Sequence, residues 1–288
     1  MLITLQNKEL LMEISSQGAE LQRVFHKEYQ LDYMWNADPV FWSKRSPVLF
    51  PIVGQLKDDS YQYKGHHYHL PRHGFAREKD FIVEHASGTE ATFLLLSNED
   101  TLQVYPFNFE FRIHYSILEN TLHVSYDVFN TGRETMYFSV GGHPAFKVPL
   151  VPDTAYTDYY LEFEQMENID RMSLQNGLID QAIPFLHFEK HIPLSHQLFY
   201  HDAIVLKNLK SNHVSLKSDK TPHGLNFNFE GFPYLGIWAA KDADFVCIEP
   251  WQGIADSINH NSLLQEKEGI LKSEPGHRWQ DAWKLTIF

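Results

Sequence analysis

A histidine stands between two glycines and a proline in the segment Gly141-Gly142-His143-Pro144, directly after a strand-like run. Glycine adopts backbone angles that other residues avoid, and it lets another group approach the chain closely. Pro144 restricts the residue before it to an extended conformation, so we expect His143 to be held at the end of a strand. Two interpretations remain open: a proton donor presented by a sheet, or a buried histidine that closes a turn.

A glutamate ends the apolar run 245–248 and is followed by Pro250 and Trp251. Apolar surroundings raise the pKa of a carboxyl group, because the charged form loses its hydration. Glu249 with such a pKa would suit a general base that works near neutral pH. Trp251 would then give a ligand an apolar platform. The alternative is an ordinary glutamate at the surface end of a strand.

Several hydrogen-bond donors are concentrated in the segment Arg72-His73-Gly74-Phe75-Ala76-Arg77, which follows Pro71. Arg72, His73 and Arg77 together form a dense donor group of the kind that binds hydroxyl or carboxylate groups. The alternative is a turn that carries solvated charges. A weaker candidate is Asp202, which precedes the apolar run 203–206 and would accept hydrogen bonds from ligand hydroxyls.

Histidine is abundant in the chain, with 17 residues, and three of them lie within 66–69. On a strand, His67 and His69 would share a face and form a pair of metal ligands, with His73 as a third. A site of this kind often also needs a carboxylate, and no downstream acid stands at a convincing spacing. We therefore interpret His66, His67 and His69 as exposed strand or turn residues and predict no metal site.

The elements that would position these residues have the patterns of β-strands. Apolar and polar residues alternate over 108–117 and, after a turn, over 122–128. Side chains of a strand point alternately to its two faces, so this period of two collects the apolar residues on one face. The two runs predict an antiparallel hairpin with one buried and one more hydrated face.

Similar runs predict further strands at 2–5, 9–14, 91–96, 136–140, 203–206, 225–229, 234–239, 245–249 and 283–288. Turn residues at 97–100 separate two of them, and 262–267 has the pattern of one short helix. The stretch 150–200 is mixed in pattern and is expected to hold long loops. Many strands without intervening helices predict an all-β fold, a large antiparallel sandwich formed by residues 1–288 as one domain.

Charge and composition restrict the class of protein. The chain has 37 acidic and 24 basic residues, for a net charge of −13, which disfavours binding to a nucleic-acid backbone. The first 15 residues contain three charged side chains and no long apolar run, so neither a signal peptide nor a membrane span is predicted, and we expect a cytoplasmic protein. The single cysteine, Cys247, has the character of a small buried hydrophobic residue.

Six sequence motifs follow one another along the chain: RSPVLFPIVG (45–54), PRHGFAR (71–77), YPF (105–107), NTG (130–132), GGHPAF (141–146) and CIEPW (247–251). In this order they resemble the aldose 1-epimerase (galactose mutarotase-like) family, and within it the bacterial LacX-type branch. The resemblance extends over essentially the whole chain. It implies a β-supersandwich fold and a cofactor-free enzyme that interconverts the α and β anomers of a sugar.

The resemblance also implies roles for individual residues. Glu249 matches the family's general base, His143 its general acid, and His73 its second active-site histidine. In this chemistry Glu249 removes the proton of the C1 hydroxyl and His143 protonates the ring oxygen, the C1–C2 bond rotates, and the steps reverse. Both groups must be able to gain and lose a proton near pH 7, and a glutamate at a strand end and a histidine are a suitable pair for this.

Substrate-binding residues are implied in the same way. Asp202 matches the sugar-binding aspartate, and Arg77 matches an arginine of the hexose-6-phosphate branch. Arg45 stands near a second such arginine at a different spacing, and Arg72 occupies a position where that branch tends to have Gln. Trp251 remains the expected platform for the sugar ring. The substrate is therefore expected to be a free or phosphorylated aldose.

Two other classes of protein remain alternatives. One is a non-catalytic sugar-binding or regulatory protein that keeps the pocket. The other is a metal-dependent β-sandwich enzyme that uses His67, His69 and His73.

Overall fold

The computed structural model describes residues 1–288, and β-strands account for most of its regular structure. The N-terminal strands form a separate four-stranded antiparallel sheet: β1 (Leu2–Gln6), β2 (Leu10–Ser15), β3 (Leu21–His26) and β4 (Leu31–Asp32). Leu10, Met12 and Ile14 alternate with partly exposed residues along β2, so this sheet turns one apolar face to the rest of the molecule.

The remaining strands follow in chain order as β5 (Val48–Leu49), β6 (Ser60–Tyr63), β7 (His66–His69), β8 (Ile82–Ala86), β9 (Glu90–Leu96), β10 (Phe109–Leu118), β11 (Thr121–Asn130), β12 (Met136–Phe138), β13 (Val140–Gly142), β14 (Ala145–Lys147), β15 (Tyr159–Gln175), β16 (Leu178–Pro193), β17 (Ile204–Lys207), β18 (His213–Ser218), β19 (Thr221–Asn228), β20 (Tyr234–Trp238), β21 (Phe245–Gln252), β22 (Leu271–Ser273) and β23 (Arg278–Ile287). Helical structure is limited to one short α-helix, α1 (Glu99–Val104), and to 3₁₀ turns at Lys57–Asp59, Ala76–Glu78, Tyr156–Asp158, His196–Phe199 and Leu264–Glu266.

Fifteen strands form one large antiparallel sheet, and the all-β fold expected from the sequence is confirmed. Along the sheet the order is β5-β13-β21-β20-β17-β15-β18-β19-β23-β11-β10-β9-β8, with β14 also paired to β21 and β16 to β15. Two small two-stranded sheets, β12-β22 and β6-β7, complete the architecture. None of the helices is long and apolar enough to cross a membrane.

The hairpin predicted from sequence alternation is present as β10 and β11. The two strands pair from Phe109 opposite Asn130 to Leu118 opposite Thr121, and buried residues alternate with partly exposed ones along both. Apolar residues such as Phe111 and Val128 are fully buried. The alternation of apolar and polar residues therefore predicted both the strands and their buried face correctly, because one face of this hairpin packs against the core.

Two expectations from the sequence are wrong. The stretch 150–200 contains the two longest strands, β15 and β16, which pair with each other through several register shifts. Most residues of β15 after Phe163 and most residues of β16 are exposed or partly exposed, so these parts lack the regular apolar alternation that marks a half-buried strand. Helix α1 begins at Glu99, within the turn predicted at 97–100, and the side chain of Asn98 before it accepts a hydrogen bond from the backbone N–H of Thr101.

A main hydrophobic cluster of 69 buried residues includes side chains from β1 through β23. A second cluster of seven residues is separate from it and includes side chains from β5, β17 and β21: Leu49, Val53, Ile179, Val205, Trp251, Ile254 and Ala255. Five of these seven line the cavity described below, so the second cluster forms its apolar wall.

Candidate active site

Sheet pairing brings three distant segments of the chain side by side. Gly141 of β13 lies opposite Leu49 of β5 on one side and opposite Trp251 of β21 on the other. His143 directly follows β13, and Glu249 lies within β21, in which all eight residues are buried. The expected position of His143 at a strand end is confirmed, and the sheet brings Glu249 next to it.

The two glycines before His143 are required by close contacts. A Cβ atom on Gly141 would lie 2.7 Å from Cδ1 of Trp251, and one on Gly142 would lie 2.7 Å from the hydroxyl oxygen of Tyr126. Both distances are shorter than side-chain carbons normally tolerate. The Gly-Gly pair therefore lets β13 pass between these aromatic side chains and fixes the backbone that presents His143.

The imidazole of His143 is buried and contacts the carboxyl group of Glu249. Nε2 of His143 lies 3.3 Å from Oε2 of Glu249, and the ring stacks on Trp42 at a centroid distance of 4.9 Å. Burial lowers the pKa of His143 to about 3, and the positive charges of Arg72 and Arg77 act in the same direction. The neutral imidazole is therefore the favoured form in the site.

Burial has the opposite effect on Glu249. Its residue is 1% exposed, and loss of hydration raises the pKa of the carboxyl group well above its usual range, although the charge of Arg72 opposes this. Oε2 has no hydrogen-bond partner within the protein. A buried carboxyl oxygen without a partner is costly, and it is available to a ligand's hydroxyl group.

His73 lies on the other side of His143, with the two rings at right angles and 5.8 Å between centroids. Its backbone has a φ of +68°, and its Nδ1 accepts a hydrogen bond of 3.1 Å from the N–H of Gly54. In the neutral ring Nδ1 is then the unprotonated nitrogen, so Nε2 carries the hydrogen. Burial lowers the pKa of His73, so it too stays neutral and serves as a fixed hydrogen-bond donor.

These side chains line a cavity of about 310 Å³, near the lower limit for sites that enclose small molecules. Its lining consists of Trp42, Gly54, Arg72, His73, Arg77, His143, Leu174, Gly177, Ile179, Asp202, Ala203, Val205, Trp238, Glu249, Trp251, Ile254 and Ala255. Seven of the eight site residues expected from the sequence are in this set. One face is apolar and the other carries the histidines, carboxyl groups and arginines.

The arginines and Asp202 are the more exposed part of the lining. A guanidinium nitrogen of Arg72 lies 3.6 Å from Oδ1 of Asp202, and both side chains are partly exposed. Arg77 donates a hydrogen bond of 2.9 Å to the backbone oxygen of Arg72, while its buried Nε has no partner. Burial lowers the pKa of Arg77. These groups supply hydrogen-bond donors and one carboxylate to a polar ligand.

Arg45 does not line the cavity, contrary to the expectation from the sequence. Its guanidinium donates hydrogen bonds of 2.6 and 2.9 Å to the backbone oxygens of Gln22 and Asn36. It thereby ties the N-terminal sheet to the segment before Trp42. In the sequence, the spacing between Arg45 and the following proline differs from that of the matching arginine in the hexose-6-phosphate branch. This difference was the one sign that Arg45 would not line the cavity.

Two lining tryptophans were not identified from the sequence. Trp42 stacks on His143 and Trp238 contacts its ring edge at 5.6 Å between centroids. Together with Trp251 they surround the imidazole and the apolar side of the cavity. Aromatic residues are frequent in the chain, so composition gave no means to separate these rings from those of the core.

The histidines of β7 are exposed and pair only with β6, which confirms their interpretation as surface strand residues. His67, His69 and His73 do not form a group with metal-ligand spacing. The one group with such spacing contains His143, Cys247 and Glu249, whose ligand atoms all lie within 4.8 Å of one another. Cys247 is fully buried, and burial raises the pKa of its thiol.

The protein is a β-rich protein with one large antiparallel sheet, and a buried histidine–glutamate pair lines a cavity of about 310 Å³. The family model for aldose 1-epimerase matches residues 1–262. The plasmid-encoded and chromosomal LacX proteins of Lactococcus lactis subsp. lactis are each 34% identical over all of this chain and 99% of their own length. The chain belongs to the aldose 1-epimerase family, and its likeness to the LacX branch is confirmed.

Solved structures agree with this assignment. A galactose mutarotase related enzyme from Lactobacillus acidophilus superimposes with a TM-score of 0.95 at 39% identity, over 100% of this chain and 97% of the other. A galactose mutarotase-like protein from Lactobacillus casei gives a TM-score of 0.92 at 31% identity, over the full length of both chains. The galactose mutarotase-like fold expected from the sequence is therefore confirmed.

Proposed function

We propose that this protein is an isomerase that interconverts the α and β anomers of an aldose, free or phosphorylated, by opening and closing the sugar ring. The observation that supports this most directly is the buried contact of 3.3 Å between His143 and Glu249, with a carboxyl oxygen that has no partner within the protein. Membership of the aldose 1-epimerase family supports the same class of reaction.

Ring opening needs one proton removed and one added. Glu249 takes the proton of the C1 hydroxyl, the bond between C1 and the ring oxygen breaks, and His143 gives its proton to the ring oxygen. Rotation about the C1–C2 bond presents the other face of the aldehyde, and the reverse transfers close the ring. The protein regains its starting protonation state, so no proton is consumed.

The environment of the pair favours the protonation state reached after ring opening. Burial raises the pKa of Glu249 and lowers the pKa of His143, so a protonated carboxyl and a neutral imidazole are the more stable combination. The reacting combination, a carboxylate and an imidazolium, has the same total of one proton. Its higher energy in the buried site increases the driving force for both proton transfers.

The remaining residues fit the binding of a polyhydroxylated ring. His73 offers a fixed N–H, Asp202 and Arg72 provide polar groups at the more exposed side, and Trp42, Trp238 and Trp251 offer aromatic faces to the C–H groups of a sugar. Arg77 and Arg72 place two guanidinium groups in the lining, which would donate hydrogen bonds to hydroxyl oxygens or to a phosphate.

Exchange between anomers is measured directly by NMR magnetisation transfer across hexoses, pentoses and hexose 6-phosphates. The wild-type protein is expected to accelerate exchange of at least one of them. Glu249→Gln and His143→Asn are expected to reduce the rate by about 10²-fold or more, because each removes one proton-transfer group. His67→Asn on the exposed strand β7 is the matched control and should leave the rate unchanged.

Two outcomes would count against the proposal. Absence of exchange above the buffer rate for every sugar tested would remove the enzymatic function. Saturable binding of a sugar without any exchange would instead identify a non-catalytic sugar-binding protein that keeps the cavity.

A further inference from the structure

Three atoms that bind metals well lie together at the wall of the cavity, which His143 and Glu249 line. They are a ring nitrogen of His143, the thiol sulfur of Cys247 and a carboxyl oxygen of Glu249, all within 4.8 Å of one another. All three residues are buried. The proton transfers proposed above use His143 and Glu249 but leave the thiol without a part in the reaction.

The sheet explains why the three meet. Cys247 and Glu249 are two residues apart on β21, so their side chains point to the same face of the strand. Cys247 pairs with Ala145 of β14, two residues after His143, which brings the imidazole to that face. The arrangement therefore depends on the backbone of a buried sheet and not on mobile surface side chains.

An unsatisfied group points to a ligand at this position. Oε2 of Glu249, in a residue that is 1% exposed, has no hydrogen-bond partner within the protein. Buried polar atoms without partners are uncommon in proteins, and metal coordination is one way in which such atoms are satisfied.

The distances are close to those of a tetrahedral zinc site. With Zn–N and Zn–O bonds of about 2.0–2.2 Å and a Zn–S bond of about 2.3 Å, neighbouring ligand atoms lie roughly 3.3–3.7 Å apart. Nε2 of His143 and Oε2 of Glu249 already lie 3.3 Å apart. The sulfur lies within 4.8 Å of a nitrogen of the His143 ring and of an oxygen of the Glu249 carboxyl group, so a shift of about 1 Å would complete the geometry.

We propose that His143, Cys247 and Glu249 form a binding site for a thiophilic divalent cation of the zinc class, with the fourth coordination position facing the cavity. A nitrogen, a sulfur and one carboxyl oxygen are the ligands that zinc prefers, whereas magnesium and calcium prefer oxygen alone. Binding releases the protons of the thiol and of the histidine–glutamate pair. The bound cation then occupies the lone pairs needed for proton transfer, and it inhibits the isomerase reversibly.

Cobalt(II) is the probe for the binding itself, because a thiolate bound to cobalt gives a charge-transfer absorption in the near ultraviolet. Cys247 is the only cysteine in the chain, so such a band can come from no other residue. We expect the band to saturate at one equivalent of cobalt per chain and to disappear when zinc is added. Cys247→Ser should lose the band and weaken zinc binding by about tenfold or more.

Two variants complete the design. His67→Gln removes an exposed histidine and serves as the control for adventitious surface binding, so it should keep the band and the affinity. Cys247→Ser should retain anomer exchange while losing its sensitivity to zinc, with circular dichroism as the check on folding. Only this inhibition experiment rests on the proposed isomerase function; the cobalt band does not.

Absence of the band in the folded wild-type protein, or zinc affinity that is equal in the wild type and Cys247→Ser, would overturn the proposal. A band without inhibition of an active isomerase would overturn the inhibitory part and leave the metal site. If neither exchange nor inhibition occurs but the band appears, the isomerase function fails and the metal site stands.

Discussion

His143 and Glu249 titrate in opposite directions from their usual values. The pKa of His143 falls to about 3 and that of Glu249 rises, in both cases mainly because burial disfavours the charged form. Between these two pKa values the pair holds a total of one proton, and the fraction of the pair in the reacting arrangement does not change with pH.

This gives a prediction for the pH profile of activity. The value of kcat/KM for anomer exchange should show no titration at 4.5 or at 6.5, the ordinary pKa values of glutamate and histidine, and should fall only at higher pH, when Glu249 loses its proton. The measurement is the exchange rate at a series of pH values, with the rate of Glu249→Gln subtracted as background. A decline with a midpoint near 6.5, the ordinary pKa of histidine, would show that His143 titrates normally.

At the scale of elements, the pairing of β20 with β21 fixes the position of Trp251 in the cavity wall. Gly236 pairs with Glu249, and a Cβ atom on Gly236 would lie 2.4 Å from the ring of Trp251. The indole can therefore approach β20 this closely only because this position has no side chain. Trp251 in turn covers Gly141, which carries the backbone toward His143.

Gly236→Ala is expected to destabilise the protein by about 1–3 kcal/mol, because the added methyl group must displace the indole ring of Trp251 within a packed sheet. Urea denaturation followed by fluorescence measures the change. Gly88→Ala is the matched control, since a Cβ atom there meets nothing within 4 Å and the backbone has an ordinary φ. Equal stability of the two variants would contradict the role assigned to Gly236.

The hairpin β15–β16 contributes to the site as an element. Its turn region supplies Leu174, Gly177 and Ile179 to the cavity lining, and Ile179 also joins the smaller hydrophobic cluster. The cavity wall is therefore formed partly by a long hairpin whose strands could not be identified from alternation.

At the scale of the whole molecule, three buried groups make stability depend on pH. The pKa values of His73 and His143 are lowered on folding from 6.5, and that of Glu249 is raised from 4.5. Between these two pH values the unfolded chain holds two extra histidine protons and the folded chain holds one extra glutamate proton. Stability therefore rises with pH in this range, by up to about 1.4 kcal/mol per pH unit.

Of these three groups, only Glu249 differs in bound protons above pH 6.5, and the folded state binds its proton more tightly, so the contribution of the three groups to stability falls again as the pH rises. We expect a maximum near pH 6.5 in the free energy of unfolding, measured by urea denaturation at a series of pH values. His143→Gln should reduce the slope of the free energy of unfolding against pH on the acidic side of the maximum. Glu249→Gln should reduce the slope on the alkaline side. Stability that keeps rising through neutral pH would contradict these assignments.

The sequence by itself determined the features that depend on local patterns. Alternation identified the hairpin β10–β11, since one face of it is buried, and the combination of glycine and proline placed His143 at a strand end. Ordered motifs such as 141–146 and 247–251 identified the family. These properties follow from side-chain period and backbone restriction, which are readable within a few neighbouring residues.

Only the tertiary structure decided which of these residues meet. Antiparallel pairing of β13 with β21 places His143 against Glu249, 106 positions later in the chain. Hydrogen bonds to Gln22 in the N-terminal sheet and to Asn36 hold Arg45 away from the cavity. Trp42 reaches His143 from a segment without regular structure. Such contacts, and the burial that shifts both pKa values, depend on strand order across the sheet, and no local pattern in the sequence specifies that order.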